Sequence, residues 1–138
     1  MIPVYAQIHD YSKYNVLAVD DIPLNILLVQ KMLSRFNFNL RTASGGQQAL
    51  DAVAQEKPDL ILLDLMMPGI DGFEVIRRLR ANPDTADIRI VILSALNSNE
   101  DVVKGFNVGA DDFIMKPIIM EKLLTCVITQ LRVVEKNK

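Results

Sequence analysis

The sequence has no tryptophan, one histidine and one cysteine among its 138 residues. Because the single cysteine, Cys126, cannot form an internal disulfide, nothing in the chain indicates an oxidising compartment. The N-terminus lacks the basic and then apolar pattern of a signal peptide, and no apolar run approaches the roughly 18 residues that a membrane-spanning helix needs. We therefore expect a cytoplasmic chain with no membrane partner.

An excess of positive charge is also missing. The formal net charge is −2 at pH 7 and the isoelectric point is about 5.3, with 50% of the residues hydrophobic and 23% charged. No basic patch is visible that would attract a phosphate backbone, so direct nucleic-acid binding is not expected. The length and composition predict one soluble globular domain.

The chain lacks the glycine-rich loop ending in Gly-Lys-Ser or Gly-Lys-Thr that cradles nucleotide phosphates, since Gly45-Gly46 is followed by glutamine. The only histidine, His9, has no second metal ligand near it, so a metal role is not expected there. Residues 1–13 show no regular hydrophobic period and are predicted to form a tail or a short packed arm.

The most informative stretch runs from Asp59 to Gly72. Its four consecutive aliphatic residues, Leu60 to Leu63, predict a strand that is buried on both faces, as in a parallel sheet. Asp64 follows at the carboxyl end of this strand, where open α/β sheets place ligands and chemistry. Met67-Pro68-Gly69 forces a loop, and Asp71 with Glu74 three residues later predicts the capped start of a helix.

Strands and helices are predicted to alternate five times. The other strands are expected at residues 15–19, 39–43, 88–93 and 112–115, and helices are expected from Pro23, after Ser44, over 72–80, over 97–107 and near the C-terminus, where Met120, Leu123 or Leu124, Val127, Leu131 and Val134 form a stripe. Short connections between alternating elements favour a doubly wound parallel sheet with helices on both faces.

Local patterns give further expectations. Asp21 is predicted to cap the helix that opens at Pro23, and Ser44-Gly45-Gly46-Gln47 is typical of a capping box. Cys126 is expected to be an inert thiol within or beside a buried stripe. Three arginines are expected to lie on a solvated helix face: Arg77, Arg78 and Arg80.

Polar residues end nearly every predicted apolar strand: Asp20 and Asp21, Asp64, Ser94, and Lys116. A parallel sheet brings these ends together at one edge, and the carboxylates there would repel one another. A hard divalent cation such as Mg²⁺, together with the lysine ammonium, would keep the carboxylates ionised. Such a site should accept a phosphoryl group. An aspartate can then act as the nucleophile and form an aspartyl-phosphate.

The sequence resembles the receiver domains of two-component response regulators over about residues 14 to 132. The motifs that carry the resemblance are Asp20-Asp21, Asp64 with Met67-Pro68-Gly69-Ile70-Asp71-Gly72, Ser94-Ala95, and Gly109-Ala110-Asp111-Asp112-Phe113 leading to Lys116-Pro117. The resemblance implies a flavodoxin-like fold with strand order 2-1-3-4-5 in a receiver domain over residues 14–134. Residues 1–13 would be an N-terminal extension, and residues 135–138 a C-terminal tail.

The resemblance also implies a function and its site. A histidine kinase or a histidine phosphotransfer protein would phosphorylate Asp64, and the chain would catalyse only its own phosphorylation and its own slow dephosphorylation by water. Mg²⁺ would be bound by Asp21, Asp64 and the backbone carbonyl of Met66, with Asp20 acting through water. Ser94 and Lys116 would bind the phosphoryl oxygens, Phe113 would be the switch residue, and the Lys116-Pro117 peptide would be cis.

The resemblance further implies an output domain or a downstream protein as a partner. Val102, Val103, Phe106 and Ile114 are candidates for pairing two copies after phosphorylation, although burial of a helix would explain them equally well. The switch aromatic is phenylalanine where tyrosine is commoner in the family. Met66 and Leu96, two residues beyond Asp64 and Ser94, are both apolar, which predicts slow hydrolysis of the phosphorylated state.

Three alternative functions remain at this point. A pseudo-receiver that only binds proteins is disfavoured by the intact acidic, serine and lysine positions. A phosphatase with an aspartate nucleophile normally needs a second aspartate two residues later as its general acid, and Met66 occupies that position. Flavin binding would rest on fold analogy alone.

Overall fold

The computed structural model of the chain describes residues 11–137. Its strands are β1 (Asn15–Val19), β2 (Asn39–Ala43), β3 (Leu60–Leu63), β4 (Arg89–Ser94) and β5 (Asp112–Met115). Its helices are α1 (Pro23–Leu33), α2 (Gly46–Gln55), α3 (Gly72–Ala81), α4 (Asn99–Val108) and α5 (Met120–Lys136), and a short 3₁₀ turn, Ser34–Phe36, follows α1. All strand pairs are parallel, in the order β2-β1-β3-β4-β5, which confirms the predicted fold.

The central strand β3 shows why the sheet needs helices on both faces. Its four side chains are at most 1% exposed. Leu60 and Leu62 pack in the layer formed with α1 and α5, whereas Ile61 and Leu63 pack in the layer formed with α2 and α3. Successive strand residues point to opposite faces, so a continuous aliphatic run fits only a strand that is covered twice.

The helix starts differ in part from the expected pattern. Asp71 does cap α3, because its carboxylate accepts a hydrogen bond from the Glu74 backbone N–H at 2.9 Å. The prediction for Asp21 is wrong: Ile22 is the N-cap residue of α1 and makes no side-chain cap, and Pro23 removes one of the N–H groups that would need one. The capping box at Ser44 is also wrong, since Gly45 is the N-cap residue of α2 and no side chain caps that helix.

Arg80 does not lie on a solvated face. Its side chain is 20% exposed and forms a salt bridge of 2.9 Å with Asp111. It also donates hydrogen bonds to the carbonyl oxygens of Gly109 and Ile88. Arg77 and Arg78 do lie on the helix surface, where both pair with Glu74 of the same helix. Arg80 is therefore more buried than Arg77 and Arg78, because its side chain contacts the residues that precede β5.

The C-terminal helix confirms the predicted stripe at Leu123, Leu124, Val127 and Leu131, whereas Met120 at its start is 40% exposed and Val134 near its end is half-buried. Cys126 is buried and donates a hydrogen bond to the Asp112 carboxylate, and burial raises the pKa of the thiol well above its usual range. A thiol held in the protonated state is a poor nucleophile, in keeping with the expectation that Cys126 is inert.

The start of the described chain packs onto the amino edge of the sheet. Tyr11 is 7% exposed, and its ring contacts Phe36 and Phe38 edge-on. The Tyr14 hydroxyl donates to the Glu135 carboxylate near the end of α5. His9 and most of the predicted arm lie outside the described residues. Within residues 11–137, no helix is both long and apolar enough to cross a bilayer.

Candidate functional site

The sheet's hydrogen bonding continues past the strands and holds the backbone of three site residues. The backbone N–H groups of these residues donate to the neighbouring strand at 2.8–3.2 Å: Asp20 to Ala43, Asp64 to Val19, and Lys116 to Ser94. The site residues are therefore placed by sheet register rather than by loop conformation. This is the carboxyl edge at which the sequence predicts that the strand ends meet.

Three carboxylates come together at this edge. Asp20, Asp21 and Asp64 each offer one oxygen, and these oxygens lie within 4.8 Å of one another. Asp20 and Asp64 are only 7% and 6% exposed. Carboxylates this close and this shielded from water repel one another unless positive charge is supplied.

Within the part of the chain that the structure describes, one ammonium group lies among the carboxylates. Lys116 Nζ is 3.0 Å from Asp20 Oδ2 and 3.8 Å from Asp64 Oδ1. Burial raises the pKa of Asp64, and the charge on Asp20 raises it further, while the Lys116 ammonium acts in the opposite direction. A single lysine thus only partly offsets the charge of three acids.

The hydrogen-bond partners of the individual carboxylate oxygens show where a cation would fit. Both oxygens of Asp20 have donors, because Oδ1 accepts from the Ile22 backbone N–H and Oδ2 from Lys116. Asp21 Oδ1, in contrast, is buried and has no hydrogen-bond partner among residues 11–137. A buried carboxylate oxygen without a donor is costly, and a hard cation with oxygen ligands would satisfy it. The residues present therefore fit Mg²⁺.

The loop after β3 borders this acidic group. Leu65 and Met67 are buried, at 1% and 7% exposure, while the Met66 side chain is 62% exposed. Gly72 at the start of α3 donates its N–H to the Leu65 carbonyl oxygen at 2.9 Å, which closes the loop. The predicted ligand role of Met66 involves only its backbone, so the outward side chain is compatible with it.

The predicted switch residues lie on β4 and β5, the strands that follow β3 in the sheet. Ser94 is fully buried, and its hydroxyl oxygen accepts a hydrogen bond from the Leu96 backbone N–H at 3.2 Å. Phe113 is half-buried beside Gly105 of α4, next to Ile92 of β4. The Lys116-Pro117 peptide is cis, as the resemblance implies.

An apolar surface beside the site was not predicted from the sequence. Four large apolar residues at the start of α1 are between 46% and 61% exposed: Ile22, Leu24, Leu27 and Leu28. The signal was present in the sequence, because α1 carries more leucines than one buried stripe requires. Apolar residues left over from a helix's buried stripe are candidates for contact with another molecule.

Comparisons with known proteins agree with this geometry. The family model described as "Response regulator receiver domain" matches residues 16–128. Response regulator PleD of Caulobacter vibrioides is 44% identical over 103 residues, which are 75% of this chain and 23% of PleD. The DNA-binding dual master transcriptional regulator RpaA of Synechocystis is 40% identical over 117 residues, which are 85% of this chain and 48% of RpaA.

A solved structure gives the same result. The signal receiver domain of a signal transduction histidine kinase from Syntrophus aciditrophicus superimposes with a TM-score of 0.84 at 30% identity, covering 91% of this chain and 95% of that domain. This chain spans about a quarter to a half of the length of the two curated relatives. Fold, site geometry and family match lead to one conclusion: the chain belongs to the response regulator receiver domain family.

Proposed function

We propose that the chain is a phospho-acceptor switch in which Asp64 receives a phosphoryl group from a histidine kinase or a histidine phosphotransfer protein. The observation that carries the proposal is the setting of Asp64, a nearly buried carboxylate beside two other carboxylates and one ammonium. Family membership supports it, because receiver domains are switches of this kind. The receiver unit would comprise residues 14–134 and act in the cytoplasm, where the kinase supplies its substrate.

In the proposed reaction, a carboxylate oxygen of Asp64 attacks the phosphorus of a phosphohistidine. The O–P bond forms as the P–N bond breaks, and the electron pair of that bond stays on the imidazole nitrogen. Bound Mg²⁺ would offset the charge that develops on the transferring oxygens. The raised pKa of Asp64 reflects a poorly solvated carboxylate, which makes that oxygen a better nucleophile once it is ionised.

The proposed magnesium ligands follow from which oxygens lack a donor. Asp21 has a buried oxygen with no partner, so it is the best candidate for direct binding, together with Asp64 and the Met66 carbonyl. Asp20 already accepts two hydrogen bonds, which favours a role through water. Lys116 carries three N–H donors and can bind a phosphoryl oxygen while it keeps its contact with Asp20.

The proposed switch couples the phosphoryl group to Phe113. In the structure the Ser94 hydroxyl oxygen only accepts a hydrogen bond, from Leu96, so its proton is available to a phosphoryl oxygen. A hydroxyl that moves toward Asp64 would leave space behind it, into which Phe113 would turn. The surface of α4, β5 and the start of α5 would then change its partners.

This output surface already carries exposed apolar residues. Val103, Phe106 and Met115 are 56%, 45% and 49% exposed, whereas Val102 and Ile114 are half-buried. We propose that an output domain, a downstream protein or a second copy of the chain binds here after phosphorylation. Light scattering before and after phosphorylation tests for the second copy, because only that partner doubles the mass of the isolated chain; an unchanged mass excludes it and leaves a heterologous partner.

The test of the proposed function is labelling with acetyl phosphate and Mg²⁺, followed by intact mass measurement. We expect one phosphoryl group on the wild-type chain and none on Asp64→Asn. The matched control is Asp59→Asn, at the opposite end of the same strand, where the carboxylate accepts a hydrogen bond from the Asn15 N–H. Labelling that survives in Asp64→Asn, or is lost in Asp59→Asn while that variant remains folded, contradicts the assignment.

A further inference from the structure

The loop between β3 and α3, residues 65–71, is held from outside by the first residue of α2. Gly46 is buried against Ile70 of the loop. A Cβ added at Gly46 would lie 2.2 Å from the Ile70 carbonyl oxygen and 2.8 Å from the Ile70 Cβ. Real side chains do not approach this closely, so the two backbones are in direct contact and no residue larger than glycine fits without moving the loop.

The other end of the loop is held by α3. A Cβ added at Gly72 would lie 2.4 Å from the Asp64 carbonyl oxygen and 2.8 Å from the Leu65 Cα. Between these two contacts stands Gly69, with φ of +76° and no neighbour within 4 Å of an added Cβ. The loop is thus held at its inner end by Gly72, is open to solvent at Gly69, and meets Gly46 at its outer end.

We propose that Gly46 is a positioning residue for the magnesium site, acting through Ile70 on the loop that carries the Met66 carbonyl. This inference rests on the proposed function. Mg²⁺ requires nearly ideal octahedral geometry with oxygens at about 2.0–2.1 Å, whereas Ca²⁺ accepts flexible geometry at about 2.3–2.6 Å. A small displacement of the loop therefore weakens Mg²⁺ binding more than Ca²⁺ binding, and Gly46 sets the preference between the two ions.

The adjacent glycine provides a matched control. Gly45 has φ of −177°, an extended conformation that any residue adopts. A Cβ added there would come within 3.0 Å only of the Gln48 Oε1, at the movable end of a side chain. Gly45→Ala and Gly46→Ala therefore add the same methyl group one residue apart, but only the second meets backbone of the loop.

The experiment is calorimetric titration of wild type, Gly45→Ala and Gly46→Ala with Mg²⁺ and, separately, with Ca²⁺. In Gly46→Ala we expect Mg²⁺ affinity to fall about tenfold, the lower end of the effect of residues that orient metal ligands. Ca²⁺ affinity should fall much less, so the ratio of the two affinities changes, and Gly45→Ala should match wild type. An unchanged ratio of Mg²⁺ to Ca²⁺ affinity in a folded Gly46→Ala variant overturns the inference. A general loss of structure would weaken the binding of both ions alike and leave that ratio unchanged.

If Gly46→Ala does not fold, Ile70→Gly tests the same contact from the loop side without adding an atom. It removes the side chain that rests near Gly46, and we expect a shift of the ion preference in the same direction. An unchanged preference in that variant also overturns the inference. A wild-type chain that binds no Mg²⁺ overturns both this inference and the proposed function, whereas normal Mg²⁺ binding in Gly46→Ala overturns this inference alone.

Discussion

The two edges of the sheet differ in how completely their charged side chains are paired. At the amino edge, the Asp111 carboxylate accepts hydrogen bonds from Arg80 and from the Ile90 backbone N–H, and it forms a salt bridge of 3.2 Å with Arg89. Arg89 also donates to the buried Gln130 side chain at 2.8 Å. At the carboxyl edge, the described residues place three carboxylates beside one ammonium group and leave one buried oxygen of Asp21 without a partner.

The difference separates a structural charge cluster from a functional one. Charges whose hydrogen bonds are all made within the protein stabilise one arrangement and leave nothing for a ligand. Carboxylates that lack partners are retained at a cost in stability, which is recovered when a cation or a phosphoryl group binds. Mutations at the two edges should therefore change stability in opposite directions.

The largest expected effect is at the amino edge. Asp111→Ala leaves two partly buried arginines, Arg80 and Arg89, without their carboxylate, and breaking such a cluster costs about 3 kcal/mol. Urea unfolding at pH 7 measures the loss of unfolding free energy. The exposed Asp84→Ala is the control and should change it by less than about 0.5 kcal/mol. A loss in Asp111→Ala no larger than in the control would show that the amino-edge cluster is not structural.

The second effect is at the carboxyl edge and requires Mg²⁺. At a Mg²⁺ concentration one hundred times the dissociation constant, binding should stabilise the wild-type chain by about 2.7 kcal/mol. Asp21→Asn removes the charge from the oxygen that has no partner, so this stabilisation should disappear. Asp51→Asn changes an exposed acid of α2 and should keep it. Thermal unfolding with and without Mg²⁺ gives the comparison, and equal stabilisation in all three chains would contradict the proposed ligand.

The carboxyl edge was largely predictable from the sequence. Each apolar strand is followed by a polar residue, and parallel strands place those residues at one edge of the sheet, so the sequence alone predicts that Asp64, Ser94 and Lys116 lie together. The continuous run Leu60–Leu63 similarly identified the central strand. Both predictions depend only on local pattern and on the geometry of parallel sheets.

The amino edge was not predictable in this way. Arg77, Arg78 and Arg80 look alike in the sequence, and only the contact of α3 with the residues before β5 gives Arg80 its partly buried partner Asp111. The same holds for Gly46, which resembles Gly45 until Ile70 is placed beside it. Contacts between elements that are distant in the chain decide these cases, and no local pattern encodes them.

A third prediction concerns the lifetime of the phosphorylated state. Met66 and Leu96 line a hollow of about 460 Å³ beside the site, and neither can orient or deprotonate a water molecule. Introducing Met66→Asn with Leu96→Glu should accelerate loss of the phosphoryl group about tenfold, or about 1.4 kcal/mol in the barrier. Decay of phosphoprotein after donor removal, at fixed Mg²⁺, measures this rate.

The extent of phosphorylation should be unchanged in that double variant, because neither side chain is a proposed ligand. A second double variant, Met66→Leu with Leu96→Met, keeps both positions apolar and should decay at the parental rate. Equal decay in all three chains would mean that the apolar rim of the carboxyl edge does not control access of water.

The smallest expected effect is on stability without Mg²⁺. Burial raises the pKa of Asp64 above its ordinary value of 3.8, so the folded chain holds this proton more tightly than the unfolded chain does. Folding stability therefore falls as pH rises from about 3.8 through the raised pKa of the folded state. Asp64→Asn carries no charge at this position, so it should be more stable than wild type at pH 7, by about 1 kcal/mol, as is common when a functional group is removed.

Urea unfolding of both chains between pH 3 and pH 8 in EDTA measures the sign and the size of the stability difference between Asp64→Asn and wild type. The advantage of Asp64→Asn should be absent at the acid end, where the wild-type carboxyl group is protonated in both states, and should grow as the pH rises. Mg²⁺ should reverse it by stabilising only the wild-type chain. An Asp64→Asn variant that is less stable than wild type at pH 7 without Mg²⁺ would mean that the Lys116 ammonium, 3.8 Å away, outweighs burial at this carboxylate, and the contrast between the two edges would fail.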